Sequence, residues 1–286
     1  MKDTKVPARV FAHARQDAES AKHSIQTPQT EHPAYRLAFQ DMEFLLREDL
    51  RPVRFQLELL KPELLLDEAK IRSMIVFYGS ARIPEPSLAE ALVAAATSDE
   101  NRAIAERLKA KSRYYDVARE LARLASRTPP DADGWRDFVV CSGGGPAIME
   151  AANRGSVDEG RDTIGLNIVL PHEQLPNSYV TPELSFQFHY FALRKMHFLL
   201  RARAVAVFPG GFGTFDELFE LLTLIQTGKV RPLPVLLFGR EFWSNVVNFD
   251  ALADEGVISP HDLDIFHWCE DANEAWNFVH DFYDED

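Results

Sequence analysis

Ala204-Val-Ala-Val-Phe-Pro-Gly-Gly-Phe-Gly-Thr-Phe-Asp-Glu217 is the stretch that decides the fold. It opens with five apolar residues, too short a run for a buried helix and suited to a strand covered on both faces. Pro209-Gly-Gly211 ends that run, and a helix opens near Thr214. The same grammar recurs on both sides. Met74-Ile-Val-Phe-Tyr78 runs into Gly79-Ser80-Ala81, and Phe138-Val-Val-Cys141 runs into Ser142-Gly-Gly-Gly145 with a helix from Pro146. Thr163-Ile-Gly-Leu-Asn-Ile-Val169 and Pro234-Val-Leu-Leu-Phe238 are two more apolar runs, and Ser98 to Ser126 is charged, Ala-rich and apolar at helical intervals. Buried strands alternating with helices predict an α/β fold, a doubly wound parallel sheet with helices on both faces.

Six of the fourteen glycines fall at Gly143, Gly144, Gly145, Gly210, Gly211 and Gly213, in two turns that each follow a strand and open a helix. Ligands of open α/β sheets bind outside the carboxyl ends of the strands. Ser80, Gly143, Gly144 and the Pro209–Thr214 turn therefore read as walls of one pocket. Glycine lets a ligand approach backbone amides closely, and a helix start offers unpaired N–H groups and the positive end of its dipole, so a phosphate there needs no lysine.

Two readings of Glu217 stay open. Thr214-Phe-Asp-Glu217 fits a capping box, with the glutamate closing back on the helix start; otherwise its carboxylate is chemical. Under both, a first-turn carboxylate is held ionised by the dipole, which suits a base or electrostatic stabiliser better than a proton donor. Upstream, Leu193, Met196 and Leu200 form an apolar helical stripe, and Arg194, His197 and Arg201 share another face. That face is either a solvated basic surface or, through Arg194, a two-point grip on phosphate or purine. His189 and His197 are conceivable proton donors, though a histidine among aromatics is more often packed.

Residues 1–70 differ from 71–286. Up to about Pro33 the chain is polar and aperiodic, an arm. Tyr35 to Lys70 then reads as two or three short helices broken by Pro52 and Pro62, an N-terminal helical extension without chemistry. The formal charge of −13 argues against nucleic acid and anionic membranes as partners, though not against a small nucleotide. No apolar run spans a bilayer, no secretory leader is visible, and Cys141 and Cys269 have no metal-ligand spacing. These features point to a cytoplasmic protein without a metal. A dinucleotide fingerprint, a P-loop and a Gly-x-Ser-x-Gly elbow are all absent.

Pro209-Gly-Gly-Phe-Gly-Thr-Phe-Asp-Glu217, with Arg194-Lys195 upstream, resembles the signature of the LOG ("lonely guy") family of phosphoribohydrolases, often labelled possible lysine decarboxylases. The resemblance extends from Phe77-Tyr-Gly-Ser-Ala81 through Ser142–Gly145 to Pro234–Phe238, about the last two-thirds of the chain. It implies a Rossmann-like fold, a homodimer or higher homo-oligomer, and release of a free base from a purine nucleoside 5′-monophosphate such as AMP, with no cofactor. It gives Arg194 and Glu217 the catalytic roles, Gly210, Gly211, Gly213 and Thr214 the phosphate, and Lys195 a place in the substrate-binding set. The decarboxylase label implies pyridoxal phosphate on a Schiff-base lysine, and no residue here picks out such a lysine. The rival expectation is a non-catalytic nucleotide or molybdenum-cofactor carrier on the same fold, which needs the cradle but not both Arg194 and Glu217.

Overall fold

The computed structural model describes residues 11, 13–22, 25–171 and 175–284; of the polar arm, residues 1–10, 12, 23 and 24 lie outside the described residues. The chain divides into two compact units, Met1–Leu57 and Glu58–Asp286. The first holds α1 (Ala14–Ala21), α2 (Pro28–Glu31) and α3 (Met42–Leu45), and Ala18 is its one buried residue among those described.

A fourth helix, α4 (Arg51–Glu68), carries the boundary between the units within it. Contrary to the sequence expectation, Pro62 does not break it. Proline removes the N–H that would bond to the carbonyl four residues earlier. Here the freed carbonyl of Glu58 accepts the His197 Nε2–H at 3.0 Å, so the defect is repaired by a side chain.

In the second unit the elements run β1 (Met74–Tyr78), α5 (Pro86–Ala94), α6 (Asp99–Lys111), α7 (Arg113–Ser126), β2 (Val139–Ser142), α8 (Ile148–Asp158), β3 (Ile164–Ile168), β4 (Ser185–Phe188), α9 (Phe191–Leu200), β5 (Ala202–Val207), α10 (Phe212–Gln226), β6 (Val235–Phe238), α11 (Arg240–Val246), α12 (Phe249–Asp254), β7 (His267–Cys269) and α13 (Ala272–Asp284). The seven strands form one sheet in the order β4-β3-β2-β1-β5-β6-β7, every neighbouring pair parallel. The expected doubly wound α/β architecture is thus present, with two strands, β4 and β7, beyond the five apolar runs.

Strand parity shows why β1 and β6 read as continuous apolar runs. Ile75 and Phe77 point into a core closed by α7, α8 and α13, with Val140, Ala204, Ala206, Leu236 and Phe238 beside them. Tyr78, of opposite parity, meets Phe198 of α9 edge-on at 5.2 Å. Both faces are covered, so alternation disappears from the sequence. No helix among the described residues is long and apolar enough to cross a membrane.

Chain order reverses between β1 and β5. The adjoining loops leave in opposite directions there, which opens a crevice beyond the carboxyl ends of those two strands.

Candidate active site

The two loops at the switch point are tied together before any ligand arrives. Ser80 N–H donates to the Pro209 carbonyl at 3.1 Å, and the amide of Ile148, the first residue of α8, reaches the Ser80 carbonyl at 3.4 Å. Between them lies a cleft enclosing about 1010 Å³ of empty space, part of it open to solvent. Its walls are Gly79–Arg82 after β1, Gly211–Thr214 at the start of α10, and Met149, Arg194 and Glu217. Substrate pockets typically measure about 300–1,000 Å³, so the cleft is of a size that takes a small molecule.

The Pro209–Thr214 turn is shaped by one glycine and opened by two. A Cβ on Gly210 would stand 2.1 Å from Thr214 Oγ1, so only glycine lets the buried Thr214 side chain fold back beneath the turn. Gly211 and Gly213 face open space. Helix α10 begins at Phe212, two residues earlier than expected, and no side chain caps it. The first N–H groups of any helix lack intrahelical partners, so these are presented to the cleft.

That early start changes the reading of Glu217, which now lies in the second turn, outside any capping box. Its Oε1 is 3.5 Å from Arg194 Nη1, with the two side chains 14% and 12% exposed. The expectation that the helix dipole holds this carboxylate ionised is corrected as well. Burial pushes the Glu217 carboxyl up to about 7, with the Arg194 charge opposing it. Away from the first turn the dipole is weak, and desolvation wins.

Arg194 is fixed on three sides. Its Nε donates to the Leu166 carbonyl at 2.7 Å, its guanidinium lies 5.0 Å from the Phe198 ring centre, and Nη2 occupies space that a Cβ on Gly143 would invade at 2.6 Å. Helix α9 is in turn clamped by α4. The Glu58 carboxylate accepts the His189 and Tyr190 amides at 2.8 and 3.2 Å, capping the start of α9. At its other end Arg201 binds Glu63, Asp67 and the Ile71 carbonyl. The basic face expected on α9 is therefore not a solvated surface. His197 is buried against Phe188, and burial lowers its pKa, so it is a packed neutral ring rather than a proton donor.

Of the residues singled out from sequence, Ser80, Arg194, Gly211, Gly213, Thr214 and Glu217 share the cleft. Gly210 supports it from beneath. Gly143 and Gly144 do not line it: Gly143 packs against Arg194, and Gly144 against Asn167. Lys195 points elsewhere, its Nζ 2.9 Å from both Asp216 and Glu220. Burial lowers the Lys195 pKa, but those two carboxylates outweigh it and raise the net value, the reverse of what Schiff-base chemistry needs. Arg82, Met149 and Phe212 were not singled out from sequence, although Arg82 and Phe212 stand in the loops already read as walls.

Both cysteines are buried, and burial pushes their thiols up, which excludes a thiolate nucleophile. Among the described residues no cluster of three or more His, Cys, Asp and Glu is arranged to hold a metal.

Residues 149–279 match the family described as "possible lysine decarboxylase". Among curated relatives, a cytokinin riboside 5′-monophosphate phosphoribohydrolase of Arabidopsis thaliana is 28% identical over 153 residues, covering 52% of this chain and 67% of the relative. A second from the same plant is 29% identical over 178 residues, covering 60% and 78%. Among solved structures, a molybdenum cofactor binding protein from Rippkaea orientalis covers 74% of this chain and 98% of its own at 17% identity, TM-score 0.46. A Moco carrier protein from Chlamydomonas reinhardtii covers 75% and 99% at 19% identity, TM-score 0.44. Residues 149–279, a little under half of the chain, are thus similar to that family, and the curated relatives that match are named as phosphoribohydrolases.

Proposed function

We propose that this chain hydrolyses the N-glycosidic bond of a purine nucleoside 5′-monophosphate, AMP or an N6-modified relative, giving the free base and ribose 5-phosphate. One observation carries the reading: the paired Arg194 and Glu217 side chains lie in the cleft whose rim is the uncapped start of α10. The curated relatives' names supply the nucleotide class.

In this reading the amides of Gly211–Thr214 hold the 5′-phosphate and thereby place C1′ over Glu217. As the C1′–N bond lengthens, positive charge builds on the ribose ring. The bond's electron pair leaves with the base, which takes up a proton, and water supplies hydroxide to C1′. Ionised Glu217 faces the growing charge or orients that water through the ribose hydroxyls, and Arg194 fixes the glutamate and polarises the purine. Glu217 titrates near neutrality, so the ionised form required here is gained as pH rises through about 7.

The test is release of free base from AMP, followed by chromatography. Glu217→Gln is expected to bind AMP normally and to lose about 10²–10³-fold in kcat. In wild type, kcat/KM should climb through about pH 7, and the variant's residual rate should lack that limb. A Gln variant with full turnover removes Glu217 from the mechanism. A wild-type protein that binds AMP and releases no adenine is a carrier, and the hydrolase reading ends there. Homo-oligomeric assembly belongs to the same proposal and is read by light scattering.

A further inference from the structure

The cleft is lined by two guanidinium groups that stand in different electrostatic situations. Arg194 is spoken for, paired with Glu217 and bonded to the Leu166 carbonyl. Arg82 lines the same cleft, is exposed, and pairs with no carboxylate among the described residues. Its backbone is nevertheless held on both sides. The Arg82 amide donates to Ser80 Oγ at 3.0 Å, and the next residue, Ile83, is buried. Ser80 is itself tied to Pro209 at the head of the glycine turn. The side chain therefore swings from a fixed base set against the loop that leads into α10.

Charge sharpens the point. The chain carries a formal −13, with 44 acidic against 31 basic residues. Most arginines on such a surface find carboxylates, as Arg119 does with Asp158 and Arg154 with Glu85. An unpaired guanidinium lining the same cleft as the uncapped start of α10 is a local reversal of the overall charge. A guanidinium is also the side chain best shaped to take a phosphate at two oxygens at once.

We propose that Arg82 is the second arm of an anion clamp. Its guanidinium closes on the phosphate seated against Gly211–Thr214 and makes the site selective for phosphorylated over free nucleosides. The inference rests on the hydrolase reading for its substrate, but it concerns binding and can be read without turnover.

Ribose 5-phosphate and inorganic phosphate are titrated calorimetrically into the full-length wild type, Arg82→Ala and Arg82→Lys. AMP and adenosine hydrolysis are followed in parallel. The exposed position predicts unchanged melting temperatures in both variants. Arg82→Ala is expected to weaken ribose 5-phosphate binding and raise the KM for AMP about tenfold or more, the loss of a charge-assisted contact. The KM for AMP should rise more than kcat falls, and Arg82→Lys should recover part of the loss. Unaltered ribose 5-phosphate affinity in Arg82→Ala overturns the clamp while leaving the hydrolase reading intact. A wild type that binds ribose 5-phosphate through Arg82 yet hydrolyses nothing upholds the clamp and overturns the hydrolase. A wild type that binds neither phosphate nor ribose 5-phosphate ends the clamp, and release of adenine from AMP decides the hydrolase reading separately.

Discussion

Two glycine-rich turns follow two parallel strands of one sheet, and the structure puts them to opposite uses. After β5, Gly211 and Gly213 look onto empty space and the start of α10 is uncapped. After β2, the start of α8 is likewise without a side-chain cap, but Gly144 and the Gly145 carbonyl are already engaged. Gly144 N–H bonds to Ser142 Oγ at 3.0 Å, its carbonyl accepts the Asn177 amide at 2.8 Å, and the Gly145 carbonyl accepts Asn177 Nδ2 at 2.9 Å. Beneath it Ser142, Asn153, Asn177 and Thr163 form a buried hydrogen-bonded chain. Ala147 at φ +63 takes a backbone conformation that costs a non-glycine residue free energy and that such a filled surround maintains. One turn faces open space; the other is packed against Arg194. In the second, glycine serves the close approach of a guanidinium.

The largest expected effect falls where the products of the two turns meet, at the Arg194–Glu217 pair. Burial raises the Glu217 carboxyl from 4.5 in the unfolded chain to about 7 in the fold. The folded state thus binds the extra proton between those values, and wild-type stability declines as pH rises across that window. Gln resembles the protonated glutamate and carries no such penalty. Glu217→Gln should match wild type within a constant offset below about pH 4.5 and gain up to about 3 kcal/mol relative to it above pH 7. Urea denaturation at pH 4 and pH 8 reads the difference. An offset that does not change with pH would mean that the carboxyl is not desolvated.

Gly143→Ala comes next. The added methyl meets Arg194 Nη2 at 2.6 Å and Met149 Sδ at 2.9 Å, both ends of flexible side chains. The fold should survive, and Arg194 should be displaced from Glu217. A shift of about 1 Å at a reacting group costs about 10²-fold in rate, so kcat/KM should fall by that order with little change in melting temperature. Undiminished activity would show that the second turn does not seat the arginine. Gly144→Ala reverses the balance: an alanine at φ +70 against Asn167 at 2.6 Å should cost about 2 kcal/mol of stability.

How much of this was legible in the sequence follows from range. The five strands buried on both faces were readable because double burial writes itself as an unbroken apolar run, as in Met74–Tyr78 and Val235–Phe238. β4 and β7 were not. Ser185-Phe-Gln-Phe188 alternates in burial and lies at the sheet edge, and His267-Trp-Cys269 is only three residues long. Pro62 was read by its local rule, and the repair came from His197, 135 positions away in sequence. The Arg194–Glu217 site emerged from motif and resemblance together. The vacancy of one turn and the fullness of the other depend on Asn167, Asn177 and Met149, residues whose types carry no hint of that duty. Glu217 failed on the same ground, since a dipole is local knowledge and desolvation is not.

The smallest effect makes the sharpest test of the vacant turn. Gly213 sits in the first turn of α10 with nothing within 4 Å of where a Cβ would stand. In a helix, alanine is favoured over glycine by up to about 1 kcal/mol because it restricts the unfolded chain. Gly213→Ala should therefore leave stability unchanged or raise it by up to that amount. The same methyl, however, projects into the cleft where the anion is proposed to rest, and ribose 5-phosphate affinity should drop several-fold. Stability and binding moving in opposite directions is the mark of a glycine kept for a ligand rather than for the fold. Were the variant to bind ribose 5-phosphate as tightly as wild type, the open space beside Gly213 would not be where the phosphate sits.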